Sequence, residues 1–145
     1  MTTDLSPSLE DRILEIATPL QLWSFATLTE EGLPAVRYVA GKASPDMRLR
    51  FSTHLSSRKI AQLRRDPHIH ISLGATSLRS PVWLQVEGVA RISTEQAERD
   101  AFWFEGLKAY VSGVDDPEYA VIIVEPSRVE LWQMGQKPEV WASGG

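Results

Sequence analysis

Phe51-Ser52-Thr53-His54-Leu55-Ser56-Ser57-Arg58-Lys59 carries an alternating, strand-like stretch into the start of a short helix. The helix reads on through Ile60-Ala61-Gln62-Leu63, capped by Ser56 or Ser57, and stops near Asp66-Pro67. A helix N-terminus presents free N–H groups and the positive end of the macrodipole, so its first turn normally favours Asp or Glu. Here Arg58 and Lys59 stand there instead, against the dipole. Two readings follow. Either an anion such as phosphate binds the N–H groups, the Ser56 and Ser57 hydroxyls, a guanidinium fork and an ammonium together, or an ordinary serine cap precedes two solvated bases.

The surrounding charge sharpens the question. From Arg37 to Arg65 there are eight basic residues and one acid, Asp46, in a chain of net charge −4. The other 116 residues hold seven bases and 18 acids. An acidic protein that gathers half its positive charge into one short segment is building either an anion site or a solvated basic face. A broad nucleic-acid surface does not fit an acidic chain with so short a cluster.

Outward from this stretch the pattern is mostly strands. Leu22–Leu28 alternates, with Trp23, Phe25 and Thr27 on one side, and Glu30-Glu31-Gly32 turns it into a strand over Ala35–Gly41. Ser44-Pro45-Asp46 leads into Met47–Thr53, and His68–Leu73 and Val82–Ser93 follow the short helix. Thr94 caps a helix through about Glu105, and Gly106–Pro117 is irregular. Tyr119–Val124 and Arg128–Met134 read as two strands separated by Glu125-Pro126-Ser127. Residues 1–20 hold an N-terminal helix capped by Ser6 or Ser8, with Leu9, Ile13, Ile16 and Ala17 on one face and Thr18-Pro19 at its end. Residues 136–145 read as a short tail. Seven short strands with three interspersed helices, joined mainly by tight turns, predict an antiparallel barrel in one domain spanning 1–145.

Several chemistries drop out. With 145 residues, 43% hydrophobic and 23% charged, the chain has the make-up of one globular domain. The absence of cysteine removes disulfides, thiolate zinc sites and a cysteine nucleophile, and His54, His68 and His70 lack a metalloprotease spacing. No nucleophile elbow, no Gly-rich phosphate loop and no apolar run near membrane-spanning length is present. The opening MTTDLSPSLEDR carries no export signal, so a cytoplasmic protein without membrane or nucleic-acid partners and without a bound metal is expected. Glu95, Glu98 and Glu105 read as a solvated helix face. Arg37 and Lys42, five apart on one strand, point to opposite faces unless a bulge intervenes. Among five tryptophans, Trp132 in Val129-Glu130-Leu131-Trp132-Gln133 could pack in a core or meet a planar heterocycle.

In this order the residues resemble the pyridoxamine 5′-phosphate oxidase-like, FMN-binding split-barrel family, particularly its general-stress-protein type. Arg37-Tyr38-Val39-Ala40-Gly41-Lys42 is similar to the oxidase's Arg-x-Val-x-x-Lys strand. Phe51-Ser52-Thr53, then Ser57-Arg58-Lys59 and Asp66-Pro67, is similar to its Phe-Tyr-Thr, Ser-Arg-Lys and Asn-Pro run, without insertion or deletion between the two segments. Val86-Glu87-Gly88-Val89-Ala90 and Val129-Glu130-Leu131-Trp132-Gln133 extend the likeness, which covers about Leu22 to Gly135.

The resemblance implies a mainly β, α+β fold: a six- to seven-stranded antiparallel split β-barrel of the FMN-binding type. It implies FMN as cofactor, with its phosphate on Arg58 and Lys59 helped by Arg37 and Ser57. Ser52 and Thr53 would bond the ribityl chain or ring edge, the Val39 and Ala40 backbone would meet the isoalloxazine, and Tyr38 and Lys42 would belong to the same cofactor-binding set. Trp132 would approach from the second subunit of a homodimer with FMN at its interface. The chain departs from the oxidase at Trp83, where the family enzyme has glutamine, and it lacks the C-terminal Arg-Leu-His-Asp-Arg segment. Pyridoxamine 5′-phosphate oxidation is therefore not expected. What remains is an FMN-dependent redox protein whose small-molecule substrate or electron donor and catalytic residues are unassigned. The alternatives are a non-catalytic flavin-binding stress protein, or a deazaflavin- or haem-binding member of the same fold.

Overall fold

The computed structural model describes residues 5–144; the expectations for residues 1–4 and 145 lie outside the described residues. Helix α1 (Leu9–Ala17) begins with a capping box, in which the Ser8 hydroxyl accepts from the Asp11 N–H and the Asp11 carboxylate accepts from the Ser8 N–H. Strands β1 (Gln21–Leu28), β2 (Pro34–Ala43) and β3 (Leu49–His54) follow, then helix α2 (Arg58–Arg65) and strands β4 (His68–Leu73) and β5 (Val82–Ser93). Helix α3 (Gln96–Phe102) and a 3₁₀ turn over Glu105–Ala109 lead to the long strand β6 (Tyr119–Gln133) and the short β7 (Glu139–Ala142).

All pairings are antiparallel, in the order β3-β2-β1-β4-β5-β6-β7, and β3 also pairs with β6. That extra pairing closes six strands into the expected barrel and leaves β7 appended outside it. Strand alternation sends one set of side chains inward. Trp23 and Phe25 of β1, Phe51 of β3, Ile71 of β4 and Leu84 and Val86 of β5 are buried together, with the Phe25 and Phe51 rings edge-on at 4.7 Å. Tyr119–Val124 is buried at every position. One face of that half of β6 belongs to the barrel and α3 packs on the strand as well, which accounts for the unbroken apolar run.

Three local expectations are corrected. Glu125-Pro126-Ser127 does not separate two strands; β6 continues through it as a bulge, with a register shift opposite Glu87 and Gly88. Proline is tolerated there because the bulge needs no N–H from it. Residues 139–142 of the tail form β7, held to α1 by a double contact from Arg12 to Glu139 (3.0 and 2.6 Å) and by Trp141 Nε1 donating to Glu10 (2.9 Å). Finally, α3 starts after Glu95 without a side-chain cap from Thr94.

Candidate functional site

Strand β3, the Leu55-Ser56 turn and α2 bring one end of the barrel wall against a cavity of about 340 Å³. Tyr38, Val39 and Ala40 of β2, Ser52, Thr53 and His54 of β3, and Ser57 and Lys59 at the start of α2 line it. Leu22, Leu107, Tyr110, Val111 and Tyr119 complete the wall. Seven residues singled out in the sequence thus meet in one concavity: Tyr38, Val39, Ala40, Ser52, Thr53, Ser57 and Lys59.

The helix start is unlike that of α1. Ser57 is the N-cap residue by backbone position, yet its hydroxyl makes no capping bond, contrary to the expected serine cap. It lies 3.0 Å from the Thr53 hydroxyl instead, and Lys59 Nζ donates to Thr53 Oγ1 (3.1 Å) and to Ser57 Oγ (3.5 Å). No acidic residue occupies the first turn.

Of the eight bases in the basic segment, Arg48 and Arg50 are the ones with ion pairs among the described residues. Arg48 pairs with Asp46 and Glu125, Arg50 pairs with Glu98, and Arg64 and Arg65 sit in the last turn of α2, where the dipole favours them. Arg37, Arg58 and Lys59, like Lys42, Arg64 and Arg65, take part in none of the ion pairs among the described residues. Burial first, and then the like charge of Arg58, push the Arg37 guanidinium below its ordinary value. Burial first, and then Arg37, do the same to the Lys59 ammonium. Three cations are thus held close enough to repel, beside a cavity, without a carboxylate to offset them. Such an arrangement can hold an anion.

A stability consequence follows from Lys59. Because its folded pKa lies below the unfolded value, the unfolded chain binds more protons as pH rises toward the usual lysine range, so this residue's contribution to stability increases with pH there. Lys59→Met is therefore expected to raise the thermal stability of the apoprotein near neutral pH and to flatten its gain on going alkaline. Paired thermal melts of the two apoproteins across that range check it.

Two predicted site residues lie elsewhere. Lys42 has the opposite strand parity to Arg37, as expected, and extends over the Phe102 ring at 5.5 Å, near Ser44, Arg50 and Glu98. Trp132 stacks parallel to Trp83 at 6.2 Å on β5 and β6, with its Nε1 donating to Glu130 (3.0 Å), and does not line its own chain's cavity. Arg37 and Arg58 stand beside the cavity wall, not in it.

Sequence reasoning missed the far wall. His54 Nε2 lies 2.6 Å from the Tyr110 carbonyl oxygen and its Nδ1 3.8 Å from Glu118, which pins the irregular 106–117 segment over the cavity. Tyr119 donates to the Arg99 carbonyl oxygen (2.8 Å), and burial pushes its phenol up to about 12, so it keeps its proton at neutral pH. Among the described residues no cluster of three or more His, Cys, Asp or Glu could hold a metal ion, and no helix is long and apolar enough to cross a membrane.

A closed six-stranded barrel with an extra strand, three helices and a cationic cavity at the β3–α2 junction defines a split β-barrel protein. Residues 9–133 match the pyridoxamine 5′-phosphate oxidase family, and the chain belongs to that family. General stress protein 26 of Bacillus subtilis (strain 168) is 24% identical over 133 residues, covering 91% of this chain and 94% of the relative. The crystal structure of General Stress Protein 26 from Bacillus anthracis str. Sterne superposes with a TM-score of 0.82 at 24% identity, over 92% of this chain and 98% of that one. A heme binding protein from Mycobacterium smegmatis gives 0.74 at 21% identity, over 96% of this chain and 60% of that one. A pyridoxamine 5′-phosphate oxidase-related, FMN binding protein from Nostoc punctiforme gives 0.64 at 16% identity, over 86% and 88%.

Proposed function

We propose that this chain is an FMN-binding redox flavoprotein that works as a homodimer, with the FMN phosphate on Arg58, Lys59, Arg37 and Ser57. The observation that carries the reading is the trio of Arg37, Arg58 and Lys59 beside the cavity, with no carboxylate partner among the described residues. A phosphate supplies the missing negative charge and accepts from the uncapped N-terminus of α2, while Ser57 already turns its hydroxyl to the Lys59 side. The cavity, walled by Leu22, Tyr38, Val39, Leu107, Tyr110 and Val111, has the size and apolar character that a planar heterocycle needs. Bound FMN would supply hydride or electron transfer; the chain would position it and exclude water from one side.

Dimerisation is supported by the rim. Leu22, Val36 and Tyr38 are 68%, 67% and 75% exposed, strand register places them on one face of β1 and β2, and Leu22 and Tyr38 line the cavity. Trp132, remote from its own chain's cavity, would then reach the flavin of the other subunit. The haem-binding structural relative keeps a second reading open to test, although the cavity's imidazole, His54, already has Nε2 against the Tyr110 carbonyl oxygen. The visible spectrum of the purified protein, taken with its mass by light scattering, decides. Flavin bands at one FMN per chain in a dimer support the proposal. A haem spectrum, or a colourless protein that takes up no added FMN, overturns it.

A further inference from the structure

The Arg37 side chain is gripped from four sides, and every acceptor is neutral. Its Nη1 donates to Thr27 Oγ1 at 2.8 Å and makes longer contacts to the carbonyl oxygens of Phe25 and Ala35, both at 3.4 Å; its Nη2 donates to Gln62 Oε1 at 3.0 Å. The Thr27 hydroxyl in turn donates to the same Gln62 oxygen at 2.5 Å. Thr27 and Gln62 are 2% and 6% exposed, so with the half-buried Arg37 they form a polar triad linking β1, β2 and α2. Gln62 lies on the helix face below Arg58 and Lys59, four and three residues on from them.

An arginine withdrawn from solvent is ordinarily paired with a carboxylate, because an unpaired charge away from water is costly. A carboxylate at position 62 would satisfy the same geometry and quench the charge. The amide fixes the guanidinium in place and leaves its charge free. We infer that Gln62 and Thr27 are positioning residues that hold Arg37 rigid but un-neutralised, so that its field adds to those of Arg58 and Lys59 on the ligand's phosphate. This rests on the FMN reading of the site and deepens it. The depressed proton affinity of Arg37, caused by burial and by Arg58, is what a charge held without a counter-ion shows.

The near-isosteric Gln62→Glu puts that distinction to the test. In the refolded apoprotein, FMN and riboflavin are titrated separately, since riboflavin has the same ring and ribityl chain and no phosphate. Gln62→Glu is expected to weaken FMN about tenfold to a hundredfold, the range of one charged hydrogen bond, and to move riboflavin less than about twofold. Thr27→Val is expected to lower the FMN-to-riboflavin preference in the same direction, and Thr27→Ser to restore it. The threonine pair decides the question should the Gln62→Glu variant fold poorly. If wild-type protein prefers FMN while Gln62→Glu and Thr27→Val leave the preference unchanged, or weaken both ligands equally, Gln62 and Thr27 are merely structural and the inference fails alone. If wild-type protein shows no preference for FMN over riboflavin, the phosphate reading falls and takes the inference with it.

Discussion

Replacing Arg58 and Lys59 together by alanine is expected to abolish FMN retention through purification and to leave the apoprotein at least as stable as wild type. The binding loss follows from what the pair would give a phosphate: two charge-assisted contacts, each worth roughly 1.5–3 kcal/mol. Their sum corresponds to about a hundredfold to ten-thousandfold in affinity. The stability expectation has the opposite sign for the same reason. In the apoprotein Lys59 is partly buried beside Arg37, Arg58 is exposed in the first helical turn, and neither pairs with an acid among the described residues. Alanine removes repulsion and an unfavourable dipole contact, and it favours the helix. Flavin content by absorbance and apoprotein melting temperature check both halves. Stoichiometric flavin in the double variant would place the phosphate elsewhere.

The second large effect concerns the fold. Gly88→Ala is expected to destabilise the protein by about 3 kcal/mol, at the upper end of ordinary overpacking. A Cβ at Gly88 would lie 2.4 Å from the Glu125 carbonyl oxygen and 3.0 Å from Pro126 Cα. Those are backbone atoms of the bulge on β6, which cannot swing aside as a side chain would. Gly41 faces a comparable approach, 2.4 Å to the Trp23 ring, but there the obstacle is a side chain. Urea unfolding of Gly88→Ala beside Gly41→Ala measures the difference, with the larger loss expected at Gly88.

The same bulge marks where the sequence stopped being legible. Strands β4 and β5 have the limits read from the chain, because Asp66-Pro67 and the Gly74–Pro81 turn region punctuate them and alternation fills them. At Glu125-Pro126-Ser127 an identical kind of punctuation lies inside a continuous strand. What carries β6 across is Gly88 on its neighbour, a contact no local window contains. Strand β7 was hidden for a related reason: Glu139–Ala142 is too short to show a period, and it is held by Arg12 and Glu10, more than 120 residues away.

At the site, the anomaly of two bases in a helix's first turn pointed to Arg58 and Lys59, and strand parity alone placed Lys42 away from Arg37. The 106–117 wall gave no periodic signal, since Leu107 and Val111 are anchored by tertiary packing and by His54. Gln62 was visible only as one polar residue in an amphipathic helix. Its burial against Arg37 and Thr27 is what distinguishes it.

Titrating wild-type apoprotein with FMN and, separately, with riboflavin tests the central claim most directly. The account predicts one FMN per chain, bound at least about a hundredfold tighter than riboflavin, with the gap narrowing as salt screens the phosphate contacts. Equal affinity for the two flavins, or a gap indifferent to salt, would contradict it.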